Sequence, residues 1–373
     1  MSRNYPGGRG KSACVIWVGA GRGGVVTADT ALPAHPARRD GWRRAARSLG
    51  LLAGIVAIGI VSVLSLRFGS IGITNREAWD AIFNYDSASY NQTVVRSLRL
   101  PRTVVALAVG AGLAVAGATM QAVTRNPLAD SSILGVSSGA SFAIITAIYY
   151  LGLSAPSQYI WFAFAGALGS SLLVFLIGSA GREGASPVKL ALAGVVVSSL
   201  LGAWSSALLL LDQQTFNVVR FWLAGSVAGR PLDSFWPVAP FLVGGALASI
   251  FIGHQLNVMS MGEDTARSLG MHTGRTRVLC SALVVLITGA AVAAAGPIGF
   301  VGLAVPHMVR GVVGPDYRWV LPYSLIYGAT FLVLADIAGR LAARPAELEV
   351  GIVTALVGAP FLISLARRRV VEH

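Results

Sequence analysis

The sequence predicts an all-α polytopic membrane protein of about ten transmembrane helices, with an inverted-topology repeat and both termini cytoplasmic. Three observations carry that reading. Hydrophobic residues make up 54% of the 373 positions and charged residues only 12%, with a mean hydropathy of +0.68, a balance that soluble domains do not reach. The apolar runs recur at roughly the 20 residues needed to cross a bilayer. The net charge of +13 is mostly arginine, with clusters just before the first apolar run and after the last, which orients spans and gives no patch for nucleic acid. Two cysteines, Cys14 and Cys280, stand far apart, so neither a disulfide framework nor a Cys-based metal site is expected.

Residues 1–46 read as a flexible basic cytoplasmic tail or an over-long translated start, without the continuous apolar stretch of a secretory signal. They hold two phosphate-loop look-alikes. YPGGRGKS (Tyr5–Ser12) lacks the first required glycine and a preceding strand, and GAGRGG (Gly19–Gly24) is followed by Pro33, Pro36 and an arginine-rich run that leave no room for a βαβ unit.

The first span runs from about Leu49 to Leu66, and Arg38, Arg39, Arg43, Arg44 and Arg47 before it hold its start in the cytoplasm. The long connection that follows, outside, contains AWDAIFNY, the pattern of a short interfacial helix. Further spans fall at about 103–122, 131–151, 158–179, 190–211 and 235–254, then 278–295, 299–313, 319–340 and 350–366. Counting along them puts Arg125, Arg182, Lys189, Arg267, Arg275, Arg277, Arg310, Arg318 and Arg367–Arg369 inside. Arg96, Arg99, Arg102, Arg340 and Arg344 then fall outside, where positive charge is sparse, and they have two readings. One is snorkelling of the guanidinium to the headgroups, and the other is docking of an acidic partner.

Between the two hydrophobic halves lies NVMSMGEDTARSLGMHTGRTR (Asn257–Arg277). Its inner part has acids first, Arg267 later and a stop at Gly270, which predicts a short helix aligned with its own dipole. Two turns cannot cross a bilayer, so this helix is either an interfacial loop or a knob for another protein. Small residues at helical spacing, Gly110, Ala114 and Ala118 in span two and Gly351, Ala355 and Ala359 in span ten, imply close packing. Span centres are almost free of ionisable groups, unlike an ion-coupled carrier. Asp336 is spaced to pair with Arg340, and His307, with no second ligand, reads as structural. Tight turns at NPLAD (126–130) and GPIGFVGL (296–303) follow the first members of two four-span blocks, 2–5 and 7–10, that start from opposite sides.

RLPR (Arg99–Arg102), MQAVTRNPLADSSILGVSSGA (Met120–Ala140), GEDTARSLG (Gly262–Gly270), GPIGFVGLAVPHMVR (Gly296–Arg310), LADIAGR (Leu334–Arg340) and ELEVGIVTALVGAPFLI (Glu347–Ile363) recur in order. From about residue 48 onward the chain resembles the FecCD permeases, membrane subunits of type II ABC importers for ferric siderophores, haem and cobalamin. The resemblance implies a permease without a catalytic site or cofactor of its own, paired with a second FecCD-type chain. ATP and Mg would lie on partner ATPase subunits, and substrate would arrive from a binding protein. It implies that the short helix, with Gly262, Glu263, Ala266, Arg267, Leu269 and Gly270, couples to the ATPase. It further implies that Arg99, Arg102 and Arg340 dock the binding protein, and that Asn126, Leu128 and the neighbourhood of Pro187 form a cytoplasmic gate. At Pro187 the turn reads ASPVK and not the serine- and threonine-rich version of the related importer.

Overall fold

The computed structural model describes residues 37–69, 71–180, 186–344 and 346–370. Both look-alike loops and most of the tail lie outside them. The chain divides into two compact units, Met1–Arg43 and Arg44–His373, and the second carries the architecture below. Among the described residues every regular element is a helix.

Each predicted span has its helix. The first is α1 (Ala37–Arg67), followed by α2 (Asn75–Phe83) and α3 (Tyr90–Val94), which leads through a π-type turn (Val95–Arg99) into α4 (Leu100–Thr124). A 3-10 turn (Ser131–Leu134) precedes α5 (Val136–Leu151), and then come α6 (Pro156–Gly178), α7 (Pro187–Leu211), α8 (Gln213–Leu223) and α9 (Leu232–Phe235). The sixth span is a pair, α10 (Ala239–Phe251) and α11 (Gly253–Ser260), bent by 59°. The short α12 (Glu263–Ser268) joins it to α13 (Thr273–Ala295), α14 (Val301–Val313), α15 (Tyr317–Ala342) and α16 (Val350–Val370). Six helices among the described residues are long and apolar enough to cross a membrane alone, and the bent pair makes a seventh. The remaining three predicted spans coincide with the shorter apolar α5, α14 and α16.

Local signals set the ends. Thr74 and Glu77 form a reciprocal capping box at the start of α2, and AWDAIF falls within this short helix. Pro156 and Pro187 occupy first-turn positions of α6 and α7, where a missing N–H costs nothing. Gly152 ends α5 in the left-handed region.

The most buried span is α4, and its small residues explain why. A Cβ on Gly110 would stand 2.4 Å from the Gly328 carbonyl of α15, and one on Gly117 would stand 1.9 Å from the Gly302 carbonyl of α14. On the other side, Gly166 of α6 would meet the Gly139 carbonyl of α5 at 2.3 Å. Without a hydrophobic drive between helices in lipid, such backbone approach supplies the van der Waals contact that holds the bundle. The first helix of each block packs on the second and third of the other: α4 against α14 and α15, α13 against α5 and α6. This exchange is what a two-fold inverted repeat requires. By contrast α1 and α7 are peripheral, with leucines and valines facing outward.

Gly117→Ala is expected to destabilise the bundle by about 1–3 kcal/mol, read as a lower Tm of the detergent-purified chain. Gly59→Ala, which meets nothing within 4 Å, should be neutral or slightly stabilising. Equal Tm for both variants would contradict the close crossing of α4 and α14.

Candidate functional sites at the two ends of the bundle

α4 runs from one end of the bundle at Leu100 to the other at Thr124, and each end carries a polar assembly. At the Leu100 end the assembly forms around the last turn of α1. Its carbonyls lack intrahelical donors, and arginines supply them. Arg99 Nη1 donates to the carbonyls of Leu66 (2.8 Å) and Arg67 (2.7 Å), and its Nη2 donates to that of Ile71. Arg340 Nη1 donates to the carbonyls of Ser65 and Phe68, both at 2.9 Å, and Arg344 Nη2 donates to Gly69 at 2.7 Å. Gly69 has to be small there, since a Cβ would lie 2.7 Å from Arg99 Nη2.

Asp336 anchors the arginines to one another. It is 1% exposed and accepts from Arg102 Nε at 2.9 Å, from Arg102 Nη2 at 2.7 Å and from Arg340 Nη2 at 3.0 Å. Arg102 Nη1 turns to the half-buried Glu347. The expected Asp336–Arg340 pair along one helix face is therefore present. Arg99, Arg102 and Arg340 are all buried, Arg340 to 2%; the orphan carbonyls of α1 engage Arg99 and Arg340, and Asp336 engages Arg102 and Arg340. The π-type turn contributes to this aim: one extra residue in a turn rotates what precedes it by about 100° relative to α4.

At the Thr124 end, α12 is the predicted short helix, six residues long, flanked by glycines in the left-handed half of the map, Gly262 at φ 111° and Gly270 at φ 81°. Gly270 N–H donates to the Arg267 carbonyl and Met271 N–H to that of Ala266, at 2.9 and 3.0 Å, the paired bonds of a Schellman stop. Glu263 accepts from Arg267 (2.8 Å), Arg277 (3.3 Å) and Thr273 (3.4 Å). Burial pushes the Glu263 carboxyl up, but Arg277, Arg267 and Thr273 outweigh it and hold it below the usual carboxylate range. Ala266 alone of this helix is fully buried, while Leu269 is 63% exposed and Asp264, Thr265, Arg267 and Ser268 face outward. This is a stiff, tethered knob.

The segment leading into it is fixed as firmly. Asn257 of α11 donates to Asp316 Oδ1 at 2.6 Å and accepts from Tyr317 N–H at 2.8 Å, so it clasps the N-terminus of α15. Burial raises the Asp316 carboxyl, yet the hydrogen bonds from Arg318 and Asn257 bring it down to about 2. Gln121 of α4 donates to the Gly302 carbonyl and accepts from Arg310, tying α4 to both ends of α14. His307 meets Phe361 edge-on at 5.7 Å, a packing contact, and no cluster of metal-ligating side chains occurs among the described residues.

Arg125, just before the NPLAD turn, sits beside the knob. Arg125 ends α4 in the left-handed region, and with Met261, Gly262, Glu263, Asp264, Thr265 and Arg267 it lines an open groove of about 590 Å³. Asn126 Oδ1 accepts from Leu128 N–H at 2.9 Å, which folds the turn and leaves Leu128 exposed. The 3-10 turn beyond it presses on α7, where a Cβ on Gly194 would lie 1.9 Å from the Ile133 carbonyl. Pro187 opens that same α7 behind the Ser186 cap, while residues 181–185 before it lie outside the described residues.

Sequence reading left residues 212–234 unassigned. α8 and the turn after it form a junction at the Leu100 end: Ser226 N–H donates to the Ala295 carbonyl (2.8 Å) and Gly351 N–H to that of Gly225 (2.9 Å), and a Cβ on Gly296 would lie 2.0 Å from the Trp222 carbonyl. The Asp212 cap and the apolar spacing of Phe216, Val219 and Leu223 before Ala-Gly were the available signal.

The helical bundle, its exchanged four-helix blocks and its rigid short helix define a multi-pass membrane transport subunit. The FecCD transport family matches residues 57–368, and the chain belongs to that family. It is 44% identical over 326 residues to the iron(3+)-hydroxamate import system permease protein FhuB of Bacillus subtilis, covering 85% of this chain and 83% of that one. To the ferric enterobactin transport system permease protein FepD of Escherichia coli it is 42% identical over 324 residues, 87% of this chain and 96% of that one. Among solved structures, an inward-facing metal-chelate type ABC transporter superposes with a TM-score of 0.74 at 30% identity, covering 86% of this chain and 99% of that chain.

Asp336→Ala strands two buried arginines and is expected to cost about 3–5 kcal/mol, seen as a large Tm loss in detergent, whereas Arg344→Ala at the exposed rim should cost about 1 kcal/mol. Combining Arg99→Glu, Arg102→Glu and Arg340→Glu should prevent folding. A triple variant that folds normally and loses only a partner would return these residues to a docking role.

Proposed function

We propose that this chain is the transmembrane permease subunit of an ATP-driven importer in the cytoplasmic membrane of a bacterium, with ferric siderophore as its cargo. It works as a pair with a second FecCD-type chain. The knob end faces the cytoplasm, a placement supported by Arg125, Arg267, Arg275, Arg277, Arg310 and Arg318 clustering there. The observation that carries the reading is α12. A six-residue helix stopped by a glycine at each end, braced by Glu263 against Arg277 and backed by the Asn257 clasp, transmits displacement instead of absorbing it. Closure of partner ATPases on bound ATP and Mg would push α12, and the neighbouring Arg125–Leu128 turn would move with it, opening the path between the paired permeases from one side to the other. Nothing in that cycle asks this chain for covalent chemistry or a cofactor.

The binding protein delivers at the Leu100 end. Because the three guanidiniums there are engaged internally, docking falls to the exposed rim around them. Cargo class follows the relatives, which carry hydroxamate and enterobactin iron. Haem or cobalamin is the second reading for cargo, and a secondary transporter with inverted repeats the second reading for mechanism. The latter is disfavoured because the ionisable groups gather at the bundle ends.

Replacing 262–270 by a flexible Gly/Ser run should leave membrane insertion intact, detach the ATPase and reduce ferric-siderophore uptake, followed with radioactive iron, to background. Normal uptake by that variant would sink the coupling role. Uptake insensitive to loss of the partner ATPase would favour the secondary transporter.

A further inference from the structure

α2 is inside out for a helix in water. Its buried side chains are the small ones, Ala78 and Ala81, packed with Leu66, Ile73 and Val95. Its large ones, Trp79, Ile82 and Phe83, occupy one outer stripe at i, i+3 and i+4, and Trp79 and Phe83 are each 62% exposed. The two rings lie 4.4 Å apart and form one continuous apolar surface. Charges around it are already engaged: Glu77 accepts from Asn91 and from the Thr74 N–H, both at 2.8 Å, Arg76 lies 3.7 Å from Asp80, and the Arg96 guanidinium lies 4.5 Å over the Tyr85 ring. The stripe is therefore apolar and close to uncharged.

Two further observations say what covers it. α2 packs on Leu66 at the end of α1, a helix of spanning length on which Ile55, Val56, Ile60 and Val63 are exposed. At the same end of the bundle, where α5 ends, α6 begins and α9 leads to α10, Tyr149, Tyr150, Trp161 and Trp236 are also exposed. Aromatic rings gathered at one level of a span bundle mark the boundary between headgroups and acyl chains.

We infer that α2 lies within that boundary, its Trp79–Ile82–Phe83 stripe sunk about 5–10 Å into the lipid leaflet at the Leu100 end, so that the occupant of this surface is phospholipid and not a protein. Because the stripe carries no net cationic patch, it takes the glycerol and upper acyl region of any phospholipid and does not select anionic headgroups. The helix thereby fixes the depth at which α1 ends.

The test uses the full chain with Cys14→Ser and Cys280→Ala, spin-labelled at Trp79→Cys, at Phe83→Cys or at the water-facing Asp86→Cys. Each is placed in phosphatidylethanolamine vesicles with and without phosphatidylglycerol. Labels at 79 and 83 should collide with oxygen several-fold more than the label at 86 and with nickel-EDDA several-fold less, equally in both lipids. Nickel-EDDA reaching 79 and 83 as freely as 86 would put the stripe in water, and shielding from both reagents would put it against protein. Either overturns the inference, as would depth that depends on phosphatidylglycerol. Should the cysteine variants not fold, fluorescence in vesicles brominated near the glycerol, compared between the parent and Trp79→Phe, reads the same depth: quenching must fall by the share of Trp79 while Trp161 and Trp236 stay quenched, and unchanged quenching overturns the inference.

Discussion

A helix that ends at a membrane boundary leaves carbonyls that must find donors, and the structure depends on how α1 finds them. The usual solution is a glycine in the left-handed region a residue past the end. Here guanidiniums of Arg99, Arg340 and Arg344 do it instead, reaching the carbonyls of residues 65–69 and Ile71. Because Arg99 enters from the α3–α4 side and Arg340 and Arg344 from α15, α1 cannot end correctly unless those elements have already met. The positive heads meet the negative end of the α1 dipole, and Asp336 supplies the counter-charge that keeps Arg102 and Arg340 side by side. A peripheral helix with little packing of its own thus becomes part of the bundle through electrostatics.

Elsewhere the bundle is held by closeness. Gly110, Gly117, Gly302 and Gly328 bring α4, α14 and α15 within backbone contact, and at the other rim Gly50 and Gly54, four residues apart, let α1 ride on α15, where Tyr327 donates to the Gly50 carbonyl at 3.1 Å. Polar side chains appear where helices start or stop: Gln121, Asn257, Asp316 and Arg310 each connect one helix end to another. The two kinds of contact divide the work between the middle of the bundle and its ends.

What the sequence disclosed follows from that division. Spans were legible because an apolar run of spanning length is a property of the run itself, and α12 because glycine, acid, base and glycine state a short helix locally. The Asp336–Arg340 pair was legible at helical spacing. The fate of Arg99 was not, because whether an arginine near a span end reaches lipid, a partner or a backbone carbonyl depends on where α1 stops. That carbonyl belongs to residues 28–33 positions earlier, and carbonyls leave no trace in a sequence. α8 escaped for a different reason: its residues signal a helix adequately, but nothing in them says that its end is the seat for Gly296 and Gly351.

α14 has 13 residues, so it is about 20 Å long against a hydrocarbon layer of about 30 Å. The shortfall is made up by the turn before it, which packs within the bundle against the backbone of Trp222 and Gly225. A span built as half turn and half helix carries the chain across while failing any length threshold. Omitting it reverses the assigned side of every residue after Val313, so the parity of the whole second block hangs on recognising one short helix as a full crossing.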